Sequence, residues 1–191
     1  PLEPYHRALT FLPACHAYER TLQYLDIYMG LSIYFAASPD KIGENLKEIK
    51  PHIMTAVPRV IEEVYEKIME KGSHLSGFKN KLFHWAVRIG EQYDLDEDKL
   101  SFIYKLKLAV ARKLILQRWY EGLGGELIAI VTGSAGIQEK IVRTFLAAEI
   151  PIYEGYGLTE ASPVVAVNCF KRGKEIGTVG PPLNGVEVKL A

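Results

Sequence analysis

Two periods of hydrophobic patterning take turns along the N-terminal third of the chain. Ala8-Leu9-Thr10-Phe11-Leu12-Pro13 reads as a strand stopped by proline. From Cys15 to Met29 the residues Tyr18, Leu22, Leu25 and Met29 recur at helical spacing, and Gly30 closes the helix. Leu31-Ser32-Ile33-Tyr34-Phe35 is a second strand. Ser38-Pro39-Asp40 opens a helix striped by Ile42, Leu46 and Ile49, and Pro51 ends it. His52 to Val57 forms a third strand. Pro58 then starts a helix that turns Val60, Ile61, Val64 and Ile68 inward and stops at Gly72. Strand and helix in strict alternation predict an α/β fold: a mostly parallel sheet with crossover helices on both faces.

Residues 73–119 leave that alternation and predict a helical insertion packed on the sheet. It holds one helix around Phe78–Tyr93, an acidic turn Asp94-Leu95-Asp96-Glu97-Asp98, and one helix around Ser101–Trp119. The turn is no EF-hand, because Lys99 and Lys105 stand where a calcium loop needs Gly and Glu. The second helix carries Lys99, Lys105, Lys107, Arg112, Lys113 and Arg118 with no acid between them. Such a face can attract anionic lipid or the phosphates of CoA. The lysines keep to no single stripe and no run of exposed aromatics goes with them, so a solvated face is the expectation. The alternation resumes with strand Leu127–Val131, a small-residue turn Thr132-Gly133-Ser134-Ala135-Gly136, a helix from about Gln138 to Ala148, and strand Glu149–Tyr153. Val164–Val167 is a further strand, and Lys171–Lys174 is a basic turn. Val186, Val188 and Leu190 alternate with polar residues as in a half-buried strand.

Composition narrows the function. The 191 residues carry 23 Lys plus Arg and 23 Asp plus Glu, which removes the electrostatic case for nucleic acid as the main partner. Cys15 and Cys169 lie far apart without CxxC spacing, which fits a reduced cytoplasmic setting better than a disulfide scaffold. The N-terminus has neither an initiator Met nor a signal-like stretch, and reads as a piece of a longer chain.

The chemistry concentrates in Tyr153-Glu154-Gly155-Tyr156-Gly157-Leu158-Thr159-Glu160-Ala161-Ser162-Pro163. Gly155 and Gly157 flank a ring that can offer its face to a base. Thr159 can hydrogen-bond a phosphate oxygen, and Glu160 can hold a hard cation such as Mg²⁺. A strand end is where open α/β sheets bind ligands. The turn after Val131 has a phosphate-loop-like layout but lacks the Gly-Lys-Ser/Thr of a P-loop.

Tyr-Gly-Leu-Thr-Glu-x-Ser-Pro resembles the signature of the adenylate-forming enzymes. Phe11-Leu12-Pro13-Ala14-Cys15-His16-Ala17-Tyr18-Glu19-Arg20 resembles the Leu-Pro-x-x-His-x-x-Glu-Arg stretch of their long-chain fatty acyl-CoA synthetase branch. Ile176–Gly185 resembles the family's Gly-x-x-Gly-x-Pro-Leu-Pro-Gly, with Asn184 in place of a proline. The resemblance implies that Tyr156 lines an adenine pocket with Gly155 and Gly157. It gives Thr159 to the phosphates and Glu160 to Mg²⁺. Gly133, Ser134 and Ala135 would border adenosine; Gly133 and Gly157, with His16, would also border the acyl substrate. His16 would orient the reacting carboxylate, and the Glu19-Arg20 pair would be structural.

The implied reaction joins ATP and a fatty acid into an acyl-adenylate, which CoA converts to the thioester. Another carboxylic acid, aryl or amino, is the alternative substrate, and a non-catalytic nucleotide- or lipid-binding module is the alternative of another class. The resemblance also implies that residues 1–191 form one partial domain. The family's phosphate loop and mobile C-terminal domain would lie outside it, and the piece by itself would not turn over. Fatty acid, ATP and CoA are the expected partners. A peripheral membrane contact and a homodimer formed through exposed sheet edges are further expectations.

Overall fold

The computed structural model describes residues 2–38, 41–169 and 173–189, apart from the side chain of Glu97. Six strands form one sheet in the order β2-β1-β3-β4-β5-β6. They are β1 (Arg7–Thr10), β2 (Ser32–Phe35), β3 (Ile53–Ala56), β4 (Ala129–Thr132), β5 (Ile152–Gly157) and β6 (Val164–Val167). The first five are parallel, and β6 runs antiparallel to β5. Crossovers are made by α1 (Ala17–Tyr28), α2 (Ile42–Ile49), α3 (Pro58–Ser73), α4 (Gly77–Glu91), α5 (Phe102–Ala111), α6 (Gln117–Gly122) and α7 (Glu139–Ala147).

Strand alternation separates the two faces. Leu9, Met54, Ala56, Ile130 and Ile152 point into the large core, which they share with residues of α2 to α7. Ala8 and Ile53 point to the other face, into a small cluster with Leu31 and Met29 at the end of α1. The expected insertion is therefore central to the fold. Tyr65 of α3, Phe83 of α4, Trp119 of α6 and Phe145 of α7 meet with ring centroids 6.2–6.5 Å apart. Phe145 is fully buried, which stabilises the fold by about 1.5–3 kcal/mol.

Local chemistry sets the ends of these elements. Pro58 occupies the first turn of α3, and Ser101 caps α5 by accepting from the Tyr104 N–H at 3.2 Å. Several expectations change. The single helix of 101–119 is α5, a π-helical turn Arg112–Leu116, and α6. The extra residue of the wide turn lets Leu108, Ala111, Leu116 and Trp119 all face the core. Helix α2 begins at Ile42, and Pro39 and Asp40 lie outside the described residues. Residues 186–189 form no strand, and Leu190 lies outside the description.

The outer face of α5 also differs from expectation. Phe102 (82% exposed), Ile103, Leu106 (60% exposed), Val110 and Leu114 form an apolar stripe open to solvent. Lys105 and Lys107 are exposed on either side of it. Arg112 turns away, donating to the Ala147 carbonyl at 2.7 Å and lying 3.5 Å from Glu149.

Candidate active site

The C-terminal ends of β1, β3, β4 and β5 share one rim, and α1 starts there. His16 is the N-cap residue of α1, exposed and with no side-chain capping bond. Its backbone is fixed: the N–H donates to Pro13 and the carbonyl accepts from Arg20, each at 3.0 Å. Two residues on, the Tyr18 hydroxyl donates to the Val131 carbonyl at 2.9 Å, so α1 is tied to the end of β4. Burial, reinforced by the neighbouring Glu19 charge, keeps that phenol protonated well above its usual range.

The small residues after β4 fit between these parts. A Cβ on Gly133 would stand 3.3 Å from the Gly155 carbonyl oxygen and 4.0 Å from the Tyr18 ring. Bare backbone at Gly133 gives the Gly155 carbonyl room, and the Tyr18 ring lies at ordinary contact distance. Ser134 has φ 75°, a left-handed conformation, and both Ser134 and Ala135 are exposed. The structure thus brings Gly133 against Gly155, and α1, which His16 caps, against the end of β4.

The signature stretch is a strand, where sequence reasoning ended the strand at Tyr153. Residues Gly155, Tyr156 and Gly157 continue β5 because β6 returns alongside them, pairing Gly155 with Val167, Tyr156 with Ala166, and Gly157 with Val164. A bulge falls between Tyr156 and Gly157, and Tyr156 stands 50% exposed. A 3₁₀ turn, Thr159–Ala161, follows, with Thr159 and Glu160 both exposed. The Leu158 N–H donates to the Pro163 carbonyl at 2.8 Å across the base of this connection. A Cβ on Gly157 would lie 1.8 Å from that same carbonyl oxygen, so only glycine admits the return of the chain. Glu160, next to Thr159 in the chain, is a hard oxygen donor open to solvent. That fits Mg²⁺, which takes one or two carboxylates and completes its shell with water and phosphate.

Two buried polar groupings escaped sequence reasoning. On α1 the expected apolar stripe is not the buried one: Leu25 is exposed, while Glu19 (1% exposed) and Asp26 are buried. The Glu19 carboxylate accepts from the hydroxyls of Thr10 and Thr55, the latter at 2.8 Å, and from Gln23 at 3.1 Å. It pins α1 to the ends of β1 and β3, so the Glu-Arg pair is structural through Glu19. Burial, then the Glu19 charge, pushes the Asp26 carboxyl up to about 6. The second grouping lies under β5. Lys174, expected in a basic turn with Lys171 and Arg172 (both outside the described residues), places Nζ 4.5 Å above the Tyr153 ring centroid. Burial brings its pKa down to about 8, with Glu154 opposing. Burial raises Glu154, while the Ile137 N–H and Lys174 pull it down. Neither grouping has a local signal, because Thr10 and Thr55 reach Glu19, and Lys174 reaches Tyr153, only through tertiary packing.

Residues 1–191 match the family model of AMP-binding enzymes from end to end. This chain belongs to that family. It is 32% identical over 186 residues to long chain acyl-CoA synthetase 3 of Arabidopsis thaliana, covering 95% of the chain and 27% of that protein. It is 29% identical over 187 residues to the long-chain-fatty-acid–CoA ligase FadD15 of Mycobacterium bovis, covering 97% of the chain and 31% of that protein. The fold is similar to the N-terminal domain of FACL13 from Mycobacterium tuberculosis, with TM-score 0.60, 15% identity, and coverage of 95% and 35% of the two chains. It is also similar to a long-chain-fatty-acid-CoA ligase (FadD1) from Archaeoglobus fulgidus, with TM-score 0.57, 18% identity, and coverage of 95% and 29%. The chain thus spans under a third of the length of these two curated relatives.

Proposed function

We propose that this chain carries the nucleotide-facing rim of an AMP-forming long-chain fatty acid–CoA ligase. One observation carries the reading: Tyr156 at the end of β5, and Thr159 and Glu160 on the braced connection that follows it, all stand exposed at the C-terminal rim of the sheet. Their residue types match an adenine, a phosphate and a cation in that order. The similarity to long-chain acyl-CoA synthetases supports the fatty acid as substrate.

In this reading the adenine lies on the Tyr156 face, against backbone at Gly155 and Gly157. Gly133, Ser134 and Ala135 wall the adenosine, since small side chains let backbone approach. Thr159 donates its hydroxyl to a phosphate oxygen. Glu160 would hold Mg²⁺, which neutralises phosphate charge when bound. His16 orients the carboxylate for attack on the α-phosphorus. The P–O bond to pyrophosphate breaks as the acyl-adenylate forms. The CoA thiol, losing its proton, then attacks the acyl carbon and expels AMP. The chain's contribution is placement and preset charge.

Acyl-dependent ATP–pyrophosphate exchange by the full-length protein tests this. Stearate should support exchange where aryl and amino acids do not, and Glu160→Ala should lower it by about 10²-fold or more. Exchange that ignores the acid supplied, or survives Glu160→Ala intact, overturns the reading. Two further contacts belong with it. The apolar stripe of α5 between Lys105 and Lys107 suits an anionic bilayer surface. The edge strand β2, with Tyr34 and Phe35 exposed, suits pairing between two copies.

A further inference from the structure

On the face of the molecule covered by α2 to α7, a groove of about 640 Å³ runs between α2, α3 and α6. None of its lining residues belongs to the rim described above. Its volume lies in the range of small-molecule sites, about 300–1,000 Å³. Leu46, Val64, Ile68 and Trp119 give it an apolar floor. Its edge carries Lys47, Lys67, Lys71 and Arg118 against only Glu44 and Glu63. Glu63 is itself held by Arg59, 3.1 Å away. Lys67 and Lys71 are one turn apart and share a face of α3.

Two positions on the groove wall can take a larger side chain without displacing protein. Gly43 in α2 and Gly122 in α6 line it, and a Cβ at either position would meet nothing within 4 Å. Both glycines are exposed, so the space beside them is open to solvent or to a ligand.

We propose that this groove binds a long-chain anionic amphiphile, its alkyl chain on the floor and its head group at the lysine edge. A fatty acid and a fatty acyl-CoA share that chemistry. The groove shares no lining residue with the rim, so occupancy here does not require nucleotide there.

Trp119 lines the groove. In the full-length protein, bromine-labelled stearate should quench, saturably, the fluorescence component that Trp119→Phe removes. Gly43→Leu and Gly122→Leu fill the space while raising helix propensity, so they should fold, as far-UV circular dichroism would confirm. Each should weaken quenching by about tenfold or more, and so should the pair Lys67→Glu and Lys71→Glu. Bromine-labelled stearyl alcohol should bind more weakly than the acid. Glu160→Ala, at the rim, should leave the quench unchanged. Competition by unlabelled stearate against stearoyl-CoA identifies the natural source. Quenching that persists in both glycine variants, or that falls with Glu160→Ala, overturns the assignment. So does the absence of saturable quenching, as when another part of the protein fills the groove.

Discussion

Glu19 is the most consequential side chain that lies outside the chemistry. Glu19→Ala removes a buried carboxylate and leaves the Thr10 and Thr55 hydroxyls without their acceptor. Each orphaned buried group costs about 1–3 kcal/mol, so the variant should lose about 2–6 kcal/mol. Gln23 lies toward the surface and adds little. Against a total stability of about 5–15 kcal/mol this is severe. With a urea dependence of about 1–3 kcal/mol per molar, the midpoint should fall by at least about 0.7 M. Replacing the whole grouping by Glu19→Leu, Thr10→Val and Thr55→Val should restore most of the loss, because no polar group is then stranded. Urea unfolding followed by far-UV circular dichroism measures both. A single-variant midpoint within about 0.3 M of the parent would refute the reasoning, as would a triple variant no better than the single.

Asp26 titrates between its unfolded value of 3.8 and about 6 in the fold. The folded state binds the extra proton in that window, so stability falls as pH rises from about 4 through about 6. Asp26→Asn should remove that slope and gain up to about 3 kcal/mol at pH 8, with little change at pH 3.5, read by thermal unfolding at each pH. A variant that gains equally at both pH values contradicts the assignment. Gly157→Ala should force the 158–163 connection outward, lowering pyrophosphate exchange about tenfold or more while far-UV circular dichroism stays near the parent's. Phe102→Asp with Leu106→Asp should leave the unfolding midpoint unchanged and abolish sedimentation with phosphatidylserine vesicles. Retained binding would remove α5 as a membrane contact.

What the sequence displayed well was whatever repeats or stands together. The alternation of 8–57 announced parallel strands and crossovers because each buried strand and each helix stripe has its own period. The residues Tyr156, Thr159 and Glu160 were legible because they fall within one five-residue span. Their conformation was less so: two glycines around an aromatic ring look like a loop until β6 supplies partners on the far side. Helix α1 misled for a related reason. Leu25 has the right spacing for burial, yet the sheet beneath α1 presents the Thr10 and Thr55 hydroxyls, and these select Glu19. No helical period encodes what lies under the helix. The outer stripe of α5 was hidden in the same way, since Leu108 and Leu106 look alike in sequence and only packing decides which faces solvent.

The return of β6 beside β5 has a mechanical consequence. In a parallel sheet the segment leaving a strand normally departs toward a helix and can swing. Here the segment carrying Thr159 and Glu160 is tethered at both feet to adjacent strands and stitched across its base from Leu158 to Pro163. The alcohol and the acid therefore ride on an anvil rather than a gate. In the proposed reaction the nucleotide must therefore fit the alcohol and the acid as they stand.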